Sequence, residues 1–102
     1  MEQRVKKHLC QVYGLGMDDV DELYGLACRT VASTRARLED AFSRSDVQEI
    51  ADAGHMLKGA LFNMGLPELG EAAKALELAG KAGCLEEARG IYARILPSLE
   101  SF

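Results

Sequence analysis

Tryptophan is missing from the 102-residue chain, proline occurs twice, and the three cysteines include no Cys-x-x-Cys. An odd number of scattered cysteines argues against a disulfide framework and for free thiols in a reducing cytoplasm. Cys10, Cys28 and Cys84, taken with His8 or His55, match no usual ligand spacing, which sets a metal site aside. No apolar run approaches the ~20 residues that a membrane span needs, and the opening MEQRVKKHLCQVYG is too polar for a signal peptide. No basic tract occurs and the formal net charge is −4, so neither nucleic acid nor an anionic membrane is indicated as a partner. Clusters of β-branched residues are scarce, which leaves strands little support. There is no glycine-rich nucleotide loop and no kinase motif, and no repeat of solenoid type. What is present is ordinary globular composition, 48% hydrophobic and 27% charged, in a length suited to one domain with a modest core.

The apolar residues recur at helical spacing along the whole chain. Residues 2 to 13 form a short amphipathic pattern, with Val5, Leu9 and Val12 on one face, Tyr13 beside it, and His8 on its flank as a solvated histidine. Gly14 to Gly16 is a break. A long helix is predicted from about Asp18, where Asp18, Asp19 and Asp21 suit an N-cap and first turn. Its inward stripe is Val20, Leu23, Ala27, Val31, Thr34, Leu38, Ala41 and Phe42. That near-heptad spacing suits a bundle helix crossing its neighbours at a shallow angle. Leu26 falls off the stripe and either meets the N-terminal helix or faces a partner. Arg29, Arg35, Arg37 and Arg44 read as a solvated face.

Ser45 to Gln48 has the S-x-x-Q form of a capping box, which predicts a helix ending at Gly65. Leu66-Pro67-Glu68 opens the next helix, with proline at its first position. Leu69, Ala73 and Leu76 point inward there, with Ala72 and Ala79 near them. Gly80 and Gly83 loosen its end. Leu78 lies opposite the stripe, as a partner contact or an isolated surface residue. The last helix runs from about Leu85 behind a weak Cys84 cap. Ala88, Ile91, Tyr92, Ile95, Leu99 and Phe102 form its apolar face, and Pro97 is expected to kink or end it. Short connections make sequential helices antiparallel. The predicted fold is all-α: an up-down-up-down four-helix bundle over residues 18–102, with an accessory N-terminal helix in residues 1–14, as one domain.

The third of these five segments, Ser45 to Gly65, carries the chemistry. Ile50, Leu57, Leu61 and Met64 make its buried line, with Ala53 and Gly54 beside them. His55 lies roughly 150° from the centre of that line, at ~100° per residue, and therefore faces out. Lys58 is its neighbour one turn on. Gly59, at i+4, leaves bare backbone beside the ring, although glycine in mid-helix costs roughly 1 kcal/mol against alanine. The segment presents a histidine with a cation next to it and cleared space for something large to approach.

His55-Met56-Leu57-Lys58-Gly59, followed in register by Asn63 and Gly65, resembles the signature of histidine-containing phosphotransfer (HPt) domains. As a pattern of helices the resemblance extends over about residues 18 to 102. It implies a phosphoryl carrier, not a kinase, that cycles a phosphoryl group on His55 between receiver-domain aspartates of a two-component phosphorelay. Lys58 would offset phosphoryl charge, and Gly59 would let the receiver close over the histidine. Phe62, at i+7, is a candidate for apolar contact with a partner or for packing under a neighbouring loop. The position matching a glutamine of several relatives is Glu77, where a carboxylate would repel a phosphoryl group but could orient neutral imidazole. The implied partners are receiver domains and a hybrid histidine kinase. The chain would need no cofactor, the Mg²⁺ being the receiver's. A monomer is expected, and the Met1 start and lack of a linker favour a free-standing protein. The alternative is an HPt-like module that docks on a receiver or kinase and regulates it without being phosphorylated.

Overall fold

A computed structural model describes all residues, 1–102. It contains five helices and no strand: α1 (Glu2–Tyr13), α2 (Met17–Ser43), α3 (Val47–Asn63), α4 (Pro67–Lys81) and α5 (Leu85–Leu99). The 27 residues of α2, at 1.5 Å each, come to ~40 Å, which accounts for the longest dimension of the molecule, 43 Å. Three-residue connections join α2 to α3, α3 to α4 and α4 to α5, and so fold each helix back along its predecessor. The result is the predicted helical bundle with an extra N-terminal helix.

The core is built from the stripes that the periodicity marks. Val31, Thr34, Leu38 and Ala41 of α2 meet Ile50, Ala53, Leu57 and Leu61 of α3, Ala73 and Leu76 of α4, and Ala88, Ile91, Ile95 and Leu99 of α5, all of them buried. Thr34 enters this core because its hydroxyl donates to Thr30 O at 2.7 Å, which removes the cost of burying it unpaired. Helix α1 adds Val5 and Leu9 to the same cluster. It is tied down by Lys6, which bridges Glu2 and Asp21, and by Arg4, which meets Glu68 at the start of α4.

Several local expectations are corrected. Helix α2 begins at Met17 behind Gly16, with no side-chain cap; the aspartates occupy its first turn and act through the dipole. The cap of α3 is Asp46, not Ser45. Asp46 accepts from Glu49 N at 3.1 Å, whereas Ser45 takes a left-handed turn conformation, φ 54°, one residue before the cap. Pro97 does not end α5, which continues to Leu99; so close to the terminus it removes a single internal hydrogen bond. Val12 is exposed, because α1 leans on α2 by its Val5 and Leu9 edge alone. His8 is only partly exposed, its ring lying over Gly65. The arginines are mostly paired: Arg37 with Glu49, Arg44 with Asp40 and Asp46, and Arg35 with Glu39.

The closest helix contact lies between α3 and α4. A Cβ added at Gly80 would stand 2.7 Å from Ala51 N, and one at Gly54 would stand 3.0 Å from Glu77 N. Gly80 therefore does not loosen the end of α4. It is buried inside the helix and lets the two backbones touch. This contact sets the distance across which side chains of α3 and α4 can meet.

Candidate functional site

Because α4 lies against α3 this closely, Glu77 enters the bundle beside the outward face of α3. Its side chain is 5% exposed, yet it accepts from three cations or potential cations. His55 Nδ1 lies 2.9 Å from Oε2, Lys58 Nζ lies 2.8 Å from Oε1, and Lys81 Nζ lies 3.1 Å from Oε2. The three partners differ in exposure: the His55 side chain is 66% exposed, Lys58 25% and Lys81 61%.

The bond to Lys58 is the largest influence holding the Glu77 carboxyl down, to about 2; burial works against it, and Lys81 and His55 add to the lowering. At neutral pH Glu77 is therefore a carboxylate and can only accept. The short contact to His55 then requires the hydrogen on Nδ1, which leaves the lone pair of a neutral ring on Nε2. A buried anion thus selects the tautomer of an exposed imidazole.

Around the histidine the surface is open. A Cβ at Gly59 would meet nothing within 4 Å. Met56, next in sequence, is 46% exposed and is touched by Arg37. Gly59 and Met56 border an apolar groove of ≈ 620 Å³ between α1, α2 and α3, into which Leu26, Tyr13 and Asn63 also face. Leu26 thus stands beside the N-terminal helix and remains 52% exposed. Phe62 is placed differently from the groove residues. Its ring lies over Gly70 of α4 while the residue stays 38% exposed, so it packs on a helix, not under a loop.

The structure thus brings His55, Lys58, Gly59 and Glu77 together and sets Phe62 to one side. Sequence reasoning missed Lys81. Its signal was the spacing Glu77-x-x-x-Lys81, which places a cation one helical turn from the carboxylate. The burial of Glu77 was also readable, since Gly70, Ala73, Glu77 and Gly80 fall on one helical line.

The bundle thus carries a solvent-facing histidine whose ring is held by a carboxylate of the next helix. The Hpt domain family model matches residues 22–100, and the chain belongs to that family. Hpt domains are phosphocarrier modules of two-component signalling and are not kinases. Comparison with curated proteins and with solved structures returned no match. No helix is long and apolar enough to cross a membrane.

Proposed function

We propose that the protein carries a phosphoryl group on His55 between receiver-domain aspartates of a phosphorelay. The observation that supports this reading most is the hydrogen bond between exposed His55 and buried, ionised Glu77. It leaves Nε2 as a nucleophile with no proton to lose. Nε2 attacks the phosphorus of an aspartyl phosphate; the N–P bond forms, the P–O bond to the aspartate breaks, and the aspartate leaves as a carboxylate. The Nδ1 proton stays in place throughout. The ring therefore gains positive charge as the bond forms, and the carboxylate of Glu77 offsets that charge. The same protonated ring is a good leaving group for transfer to a second receiver, so the step runs in both directions.

Lys58 meets the phosphoryl oxygens as an ammonium held at the rim of the site. Gly59 gives an approaching receiver access to the ring, and Phe62 extends the apolar surface on the α4 side. The receiver supplies the acyl phosphate together with Mg²⁺, which screens phosphoryl charge. In this reading the chain acts as a monomer in the cytoplasm, between a hybrid kinase and one or more receivers, with nucleic acid and membrane playing no part.

Incubation with a phosphorylated receiver should label the wild type and spare His55→Gln. Equal labelling of both would reject His55 as the acceptor. Tight receiver binding that survives His55→Ala, with no label on the wild type, would make the protein a docking regulator instead.

A further inference from the structure

Resting on the phosphocarrier reading, we propose that Lys81 is a positioning residue of the transfer, one that cancels the repulsion which Glu77 would otherwise exert on the incoming phosphoryl group. A buried carboxylate beside a phosphoryl acceptor is a liability, because an anion of two charges must come to rest on the ring it holds. Lys58 balances Glu77 through Oε1, so that these two side chains together present no net charge to the phosphoryl group that Lys58 meets. Lys81 binds the other oxygen, Oε2, the same atom that takes the hydrogen of His55 Nδ1. With it the cluster of Glu77, Lys58 and Lys81 carries one net positive charge.

The bland account of Lys81 is a cation at the C-terminal end of α4, favourable for the helix dipole. That account predicts a side chain free in solvent. Instead the ammonium turns back one helical turn onto a carboxylate whose side chain is 5% exposed. The Lys81 side chain itself is 61% exposed, so solvent screens its pull on Glu77 and the pair adds little to stability; the contact should be read in the transfer rate and not in the melting curve.

The test uses the full chain and potassium phosphoramidate, a small donor that needs no receiver. Label on wild type but not on His55→Gln establishes His55 as acceptor; a wild type that takes no label fails the carrier reading itself, and this proposal with it. Given that label, Lys81→Ala should slow labelling about five-fold, and Lys81→Arg should restore most of the rate. In a Glu77→Gln background, where there is no carboxylate to cancel, Lys81→Ala should change the rate less than about two-fold. Helical circular dichroism and the melting temperature of Lys81→Ala should match wild type. A wild-type rate in Lys81→Ala overturns the proposal. Equal slowing in the glutamate and glutamine backgrounds also overturns it, since Lys81 would then act independently of Glu77.

Discussion

Gly80→Ala should destabilise the protein and slow phosphorylation of His55 together, although it adds a better helix former. Two effects oppose each other. Alanine gains up to ~1 kcal/mol over glycine in a helix interior, and less near the end of α4. Against this, the new methyl would stand 2.7 Å from Ala51 N and 3.0 Å from both Ala51 Cα and Val47 O. Those are backbone atoms, with no side chain to swing away, so α4 must retreat from α3 by more than half an ångström. Overpacking of this kind costs typically 1–3 kcal/mol, and the net loss should be about 1–2 kcal/mol. For a domain of this size each ~1 kcal/mol lowers the melting temperature by about 4–8 °C. The retreat also lengthens the His55–Glu77 contact, now 2.9 Å, which loosens the tautomer and slows labelling. Gly90→Ala is the control: a Cβ there meets nothing within 4 Å, so the same substitution on α5 should raise stability by roughly 0.5–1 kcal/mol. Thermal melts followed by circular dichroism, with labelling rates measured beside them, decide the matter. If Gly80→Ala melts at or above the wild-type temperature, the packing argument is wrong. If it melts lower but labels at the wild-type rate, the link from helix spacing to ring orientation is wrong.

Other outcomes follow from the same geometry. Lys58→Ala should slow transfer about ten-fold while the far-ultraviolet circular dichroism stays that of the wild type; unchanged transfer would remove Lys58 from the site. Gly59→Glu should abolish labelling by a phosphorylated receiver but not by phosphoramidate, because its side chain points into open solvent and obstructs only a protein-sized donor. The Glu77 carboxyl is held at about 2 in the fold, below its ordinary value, so it stabilises the fold fully above about pH 4.5 and loses that contribution as pH falls towards 2. Glu77→Gln should therefore be less stable than wild type by a constant amount between pH 5 and 8. Denaturant titrations should show the gap closing between about pH 4.5 and 2, and a gap that persists at pH 2 would mean that charge is not its source.

Much of this site was legible in the sequence because helices repeat. The periodicity that buries Leu57 and Leu61 turns His55 outward, and the same arithmetic puts Lys58 and Gly59 beside it. The end of α3 was also readable, since Gly65 takes φ 75° there. Less readable were features decided by competition between neighbours. Ser45 and Asp46 both make good caps, and the chain used Asp46 because Ser45 was needed in the left-handed turn that closes the α2–α3 connection. Proline breaks helices in their interiors, but Pro97 stands two residues from the end of α5, where little helix was left to break.

Glu77 was picked out in the sequence as a residue that could orient the imidazole, and it does meet the ring; what the sequence did not show is how its buried charge is balanced. A pattern reading assigns acidic residues to solvent because burying an unpaired charge is costly. It cannot see that residues from two helices will gather to pair it. Here the pairing needs Gly54 and Gly80 on opposite sides of the same contact, each small so that α4 can come close. The glycines, the carboxylate and the two lysines are thus one arrangement: tight backbone contact brings Glu77 to His55, and Lys58 and Lys81 make its charge tolerable there. Enlarging either glycine, or removing both lysines while keeping the acid, should damage the site without touching the histidine.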